Sequence, residues 1–284
     1  MSDETKEAKK PDTKTEEPKP MGPPKSAFRE YFESFVVTLV MAIFGMTFIL
    51  QAVTVPTGSM QNTILVGDYL LVNKFIFTPG GSSTLPFLPQ RDIARGDIIV
   101  FKYPGNKKHP ERDLAHGGSA TPYQVNYVKR VIGLPGEKIE FKDNQIFVNG
   151  QLLPEHRVIG DASDDQSALT TSEFEERRPD DKWDVYYSKA TMDAVKAGRH
   201  LDLNKTGFEF GIEGKPMIVP DNSFFCIGDS RDRSEDGRVW GFVPRDLIVG
   251  RAMFVYWSCD RGASDKWYGC LTNPRLSRIG HFVK

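Results

Sequence analysis

Residues Phe35 to Val55 read FVVTLVMAIFGMTFILQAVTV, 21 residues without a charge. About 20 apolar helical residues span a bilayer core, so this stretch predicts a transmembrane helix over 35–55. Its polar members, Thr38, Thr47, Gln51 and Thr54, are mild, and a helical Thr can return its hydroxyl to a carbonyl of its own helix. The competing reading is a buried core helix, but uncharged runs of this length are uncommon in soluble domains. A cleavable signal peptide has an apolar segment of about 7–15 residues; this one is longer and follows a charged tail, so an uncleaved anchor fits better. Lys25 and Arg29 precede it, and no Lys or Arg follows before Lys74. The positive-inside rule then places the N-terminus in the cytoplasm and the remainder outside the cell membrane, with a single crossing.

Residues 1–25 are mostly Lys, Glu, Asp, Thr and Pro, with no aromatic residue. They cannot bury enough apolar surface to offset their ordering entropy and are predicted to be a disordered cytoplasmic tail. Beyond the anchor the period changes. Short apolar or alternating runs at 68–77, 97–103, 123–132, 138–148, 216–228 and 247–257 are bounded by Gly, Pro and Asp, which is the pattern of strands. Asn149-Gly150 is a hairpin signal. The fold class is therefore mainly β and antiparallel, with one N-terminal transmembrane helix. Residues 56–150 and 216–260 are expected to form the catalytic β core. Residues 151–215, acidic and polar from 154 to 200 with a short helix near Ala190–Ala197, are expected to be an inserted second lobe, and 261–284 a C-terminal extension. The loops at 79–90 and 104–122 are rich in turn residues.

The net charge of -1 argues against nucleic acid as a partner, since such binders carry a basic surplus. Cys226, Cys259 and Cys270 form no CxxC pair, and the five histidines (His109, His116, His156, His200, His281) lack ligand spacing. No metal site or cofactor is expected. If their region lies outside the cytoplasm, Cys259 and Cys270 are either a disulfide or two unpaired thiols; spacing leaves both open.

Directly after the apolar run comes Val55-Pro56-Thr57-Gly58-Ser59-Met60. A serine on such a turn can present a nucleophilic hydroxyl beside backbone N–H groups able to hold an oxyanion, although most Gly-Ser turns are only turns. No histidine stands in a suggestive context, which leaves a lysine as base. A lysine serves only when neutral, and burial in an apolar site lowers its pKa. Lys129 lies within Tyr127-Val128-Lys129-Arg130-Val131-Ile132-Gly133. Strand alternation puts Tyr127, Lys129 and Val131 on one face and Arg130 on the other. Spacing alone favours two solvated charges on an edge strand. A third cluster, Gly228 to Arg238, alternates acids, arginines and serines after an apolar strand; it is either a self-paired rigid loop or a solvated turn.

Taken together, PTGSM with GDYLLVNKF (67–75), YVKRVIGLPGE (127–137) and GDSRDRSEDGRVWGFVP (228–244), in this order after an anchor, resemble the bacterial type I signal peptidase (leader peptidase) family from about Phe35 to Gly250. The resemblance implies a signal-peptidase-like β fold and a serine endopeptidase that removes signal peptides after a small residue, at an Ala-X-Ala type site. It implies Ser59 as nucleophile and Lys129 as general base. It implies the Thr57 hydroxyl and the Ser59 N–H as oxyanion donors, Ser234 as the hydroxyl that orients the lysine, and Asp236 with Arg238 as a supporting ion pair. Pro56, Met60, Tyr127 and Val128 correspond to shallow substrate pockets. The implied partners are secretory preproteins and the lipid bilayer, with the enzyme acting as a monomer. Asn62 stands where the family usually has Pro, Gly237 where Ser is common and Arg233 where Asn is frequent. An inactive binding relative is disfavoured by the intact Ser59, Lys129 and Ser234, and a self-cleaving repressor by the lack of a DNA-binding region.

Overall fold

The computed structural model describes residues 26–77, 90–110, 113, 121–142, 145–161, 168, 170–198, 209–262 and 268–284. The 1–25 tail lies outside them, as do most of the 79–90 loop and parts of the 104–122 loop and of the inserted lobe.

Ser26 opens helix α1, Ala27–Phe44, its hydroxyl accepting from Arg29 N–H at 3.4 Å. The helix runs on as a π-helical turn, Gly45–Ile49. Together they span 23 residues of mean hydropathy 2.0, about 34 Å at 1.5 Å per residue, enough to cross a bilayer core of about 30 Å. It is the one helix among the described residues that is long and apolar enough to do so. Thr38 donates to the Ser34 carbonyl at 2.8 Å, as its place in an apolar helix requires. The expected helix over 35–55 is corrected at both ends: the helix starts earlier, and Leu50–Thr54 is strand β1. This last part of the apolar run pairs residue for residue with β2, Asp68–Asn73, as the edge strand of the sheet, so the ladder satisfies its backbone groups on the side facing β2.

Next come β3, Ile98–Lys102, and β4, Asn126–Gly133. The chain then leaves this sheet for β5 (Lys138–Lys142), β6 (Gln145–Val148), β7 (Gln151–Leu152), β8 (Glu155–Asp161), β9 (Thr170–Phe174), β10 (Trp183–Tyr187), helix α2 (Lys189–Lys196) and β11 (Met217–Ile218). It returns as β12 (Ser223–Ile227), β13 (Phe242–Pro244) and the long β14 (Ile248–Ser258). The main sheet has the order β1-β2-β14-β3-β4-β12-β13, and each of its pairs is antiparallel. β10-β8-β9 and β11-β5-β6-β7 form two smaller sheets.

The β6–β7 turn has positive φ at Asn149 (52°) and Gly150 (80°), the conformation that a tight two-residue hairpin needs. That hairpin also moves the expected boundary of the second lobe. β6 and β7 pair across the turn, so β5 and β6 belong with the small sheet and not with the core expected to run to residue 150. Nor is the lobe separate. Phe44–Lys284 is one compact unit, and Trp183 and Val185 of the lobe share a core with Ile132, Phe225 and Ile227 of the main sheet. The 261–284 segment likewise packs inward: Val283 is buried with Val55, Met60 and Val255. Cys259 and Cys270 form a disulfide with a Cα–Cα separation of 5.0 Å.

Candidate active site

Ser59 sits in the crossover from β1 to β2, within a 3-10 turn, Gly58–Met60. The turn is pinned by its own backbone: Val55 N–H bonds Asp68 O at 3.0 Å, Gln61 N–H bonds Gly58 O at 2.9 Å, and Ile64 N–H bonds Met60 O at 2.7 Å. Lys129 lies opposite Ile99 in β4. Because β4 is interior, between β3 and β12, the edge-strand reading of Lys129 and Arg130 is overturned.

Lys129 Nζ is 2.6 Å from Ser59 Oγ, in a hydrogen bond between two buried side chains. The lysine is only 3% exposed and the serine 7%, so water does not screen the pair. Burial pulls the Lys129 pKa down to about 8, against the pull of Asp236 and Glu235 and with help from the Arg238 charge. An amine with that pKa is partly neutral near pH 8 and can accept a hydroxyl proton.

The Gly228–Arg238 loop closes over the pair. Asp236 and Arg238 form a buried bidentate ion pair, Nε–Oδ1 2.8 Å and Nη2–Oδ2 2.9 Å. Asp236 also accepts from Gly228 N–H at 2.9 Å and Arg238 N–H at 3.1 Å, and Arg238 donates to Arg231 O at 2.7 Å. Burial pushes the Asp236 carboxyl up, but the Arg238 charge and hydrogen bond, with the Ser234 hydroxyl and Gly228 N–H, bring it below its ordinary value. Among the described residues, Ser234 Oγ is buried without a hydrogen bond of good geometry to any group, Lys129 included; it leans toward Asp236. Gly228 is glycine for lack of space. A Cβ there would fall against Ser234 Oγ and 2.5 Å from the Ser59 carbonyl oxygen. Ser230 N–H bonds that same carbonyl at 3.1 Å.

Of the expected pocket residues, Pro56 is exposed and Tyr127 and Val128 are half-buried; Thr57, the expected oxyanion donor, is exposed. Met60 is 1% exposed, and its sulfur accepts from Asp229 N–H at 3.4 Å; it packs beneath the turn rather than forming an open wall. Tyr127 stacks on Tyr103 with ring centroids 4.8 Å apart, and Lys129 Nζ lies 5.4 Å from its ring centroid. Tyr127, with its hydroxyl pushed up to about 12 mainly by burial, stays neutral.

The signal peptidase, peptidase S26, family model matches residues 28–257. The chain belongs to that family. It is a serine protease of the signal peptidase type. Signal peptidase I of Pseudomonas aeruginosa is 30% identical over 90% of this chain and 77% of its own. That of Aquifex aeolicus is also 30% identical, over 89% and 97%. A crystal structure of signal peptidase I from Enterococcus faecalis is 22% identical, covering 57% of this chain and 97% of its own, with a TM-score of 0.27, too low to bear on the fold.

In this signal peptidase several residues that support the site were not singled out by the sequence. Arg130 pairs with Asp229 through Nε–Oδ1 2.8 Å and Nη2–Oδ2 2.7 Å, both side chains at most 2% exposed. Thr63 donates to Asp229 at 2.7 Å. Arg231 forms a buried bidentate pair with Glu155 of β8. Arg130 and Asp229 do lie inside the matched segments, but their burial depends on a partner 99 residues away.

Proposed function

We propose that this signal peptidase cleaves exported preproteins through a Ser59–Lys129 dyad, after a small residue at an Ala-X-Ala type site. The observation that carries the reading is the 2.6 Å contact between Ser59 Oγ and a buried Lys129 whose pKa is lowered to about 8. Neutral Lys129 takes the Ser59 proton as Oγ attacks the scissile carbonyl. The Thr57 hydroxyl and the Ser59 N–H hold the oxyanion, where one such donor contributes about 3–4 kcal/mol. Lys129 returns the proton to the leaving amine and then activates the water that hydrolyses the acyl-enzyme. Pro56, Tyr127 and Val128 border the cleft, with Met60 beneath it, and favour small side chains. The Asp236–Arg238 pair holds the loop against the lysine, with the buried Ser234 hydroxyl beside it.

We further infer a cytoplasmic N-terminus and a catalytic domain beyond the membrane. Arg29 lies at the start of the apolar helix and the next basic residue is Lys74. The Cys259–Cys270 disulfide suits an oxidising compartment.

The test is cleavage in detergent of a preprotein carrying an Ala-X-Ala site, by the intact enzyme, Ser59→Ala and Lys129→Ala. Cleavage after the second Ala by the intact enzyme alone, with both variants folded, supports the dyad. Retained cleavage by Lys129→Ala at neutral pH refutes the assigned base.

A further inference from the structure

The crossover that carries Ser59, residues 55–68, is held by the Gly228–Arg238 loop and also by the segment 268–284 that follows β14. Arg275 donates to the Val66 carbonyl at 2.8 Å. Arg278 donates through Nη2 to the Thr63 carbonyl at 3.1 Å and to the Asp68 carboxylate at 2.6 Å. Val283 packs with Val55 and Met60, which flank the Pro56–Ser59 stretch. The Lys284 carbonyl accepts from Arg130 at 3.0 Å, so the same segment also meets the neighbour of Lys129.

The segment is itself anchored. The Cys259–Cys270 disulfide ties it to the end of β14. Arg275 N–H bonds Ser258 O at 2.9 Å, Gly280 N–H bonds Val255 O at 2.8 Å and Val283 N–H bonds Met253 O at 2.8 Å. Its target is equally fixed. Asp68 is 0% exposed, and its carboxylate also accepts from Leu65 N–H at 2.9 Å and the Ser258 hydroxyl at 2.7 Å. Thr63 in turn donates its hydroxyl to Asp229 at 2.7 Å, the carboxylate that Arg130 holds. A line of hydrogen bonds thus runs from Arg278 through Thr63 and Asp229 to Arg130, beside the base.

We propose that Arg278 is a positioning residue for the Ser59–Lys129 reaction: by fixing the Thr63 carbonyl and the Asp68 carboxylate together, it sets where the Ser59 turn stands against Lys129. This rests on the dyad reading above. A small misplacement of a nucleophile slows the chemical step far more than it weakens substrate binding.

The test uses the full chain in detergent with the Ala-X-Ala preprotein. Arg278→Met removes both bonds and strands the buried Asp68 carboxylate, so it should also lose stability. Adding Asp68→Asn removes that charge and keeps an oxygen for Leu65 N–H, but does not restore the guanidinium between Thr63 and Asp68. The expected result for Arg278→Met is a fall in kcat of about tenfold with KM within about twofold. The pH at which kcat/KM levels off should stay near 8, because the surroundings of Lys129 are untouched. The double variant should regain melting temperature and remain as slow; it carries the comparison if Arg278→Met alone does not fold. Arg278→Lys, which keeps a cationic donor, should be faster than Arg278→Met. An unchanged kcat, a rate that returns with the melting temperature in the double variant, or a pH profile that shifts toward the ordinary lysine value would each overturn the proposal. If the intact enzyme cuts, Ser59→Ala is dead and Arg278→Met is unimpaired, this proposal alone fails. If the intact enzyme does not cut, the dyad reading fails and takes this proposal with it.

Discussion

Lys129 and Arg130 are adjacent in β4 and project to opposite faces of it, the first to Ser59 Oγ at 2.6 Å and the second to the Asp229 carboxylate at 2.7 Å. One strand thus carries the proposed base on one side and the anchor of the overlying loop on the other. Both charges are buried, but only Arg130 has a carboxylate in direct contact. Lys129 is buried against the Ser59 hydroxyl and the Tyr127 ring, with Asp236 and Glu235 acting at longer range, and that difference in surroundings separates the two side chains.

Activity should follow the titration of Lys129. Its charged form is inactive as a base, so kcat/KM should rise with pH and level off above about 8. A pH profile on the free enzyme reports this limb directly. A limb near the ordinary lysine value, or none between pH 6 and 9, would show that the reaction does not depend on a desolvated lysine.

The same lysine makes stability depend on pH. Its pKa falls from 10.5 in the unfolded chain to about 8 when folded, so the unfolded state binds the proton more tightly. Stability should therefore rise with pH between about 8 and 10.5, and below 8 the fold carries the whole penalty. That penalty is on the order of 3 kcal/mol at 1.36 kcal/mol per pKa unit. Lys129→Met should be inactive yet more stable than the parent at pH 7, with the difference closing toward pH 10. Urea unfolding of both at several pH values measures it. The comparison between variants matters because Tyr127 and Tyr186, each pushed up to about 12 by burial, bring a separate loss of stability above about pH 10.

Breaking the Arg130–Asp229 pair from one side should be costly. Asp229→Ala leaves a buried guanidinium without its carboxylate, and removing one partner of such a pair typically costs about 3–5 kcal/mol. Chemical denaturation of Asp229→Ala, Arg130→Met and the double variant checks this. The double variant should recover part of the single losses; strict additivity would mean that the two side chains act independently.

The anchor, most of the strands and the Asn149-Gly150 hairpin were legible in the sequence because each leaves a local signal, whereas Ser59 and Lys129 stood out only through the family resemblance, since the spacing of Lys129 alone favoured a solvated charge. The rest depended on distant partners. Leu50–Thr54 is uncharged and β-branched in part, which suits the end of a membrane helix as well as a strand, and only its pairing with β2 separates the two. β5 and β6 read correctly as strands, but which sheet they join is set by β7 and β11. Arg130 and Glu155 look like surface charges until Asp229 and Arg231 are brought to them. The left-handed backbone at Asn62, φ 72°, could be suspected from the missing proline, which cannot enter that region.

Gly228→Ala is the smallest change that should disable the site without removing a functional group. An added Cβ would meet Ser234 Oγ, Ser234 Cβ and the Ser59 carbonyl oxygen together. Ser234 could rotate, but the Ser59 carbonyl belongs to a backbone already fixed by Ser230 N–H, so the loop itself must retreat. Retreat would carry Asp236 and Ser234 away from Lys129 and let water reach the amine. The lysine pKa should then rise toward its ordinary value, because desolvation is the largest cause of its depression. Gly228→Ala should therefore lower kcat by about 100-fold and move the limb of the pH profile upward. A variant that loses rate with the limb still near 8 would instead place the damage at the nucleophile turn and leave the lysine environment intact.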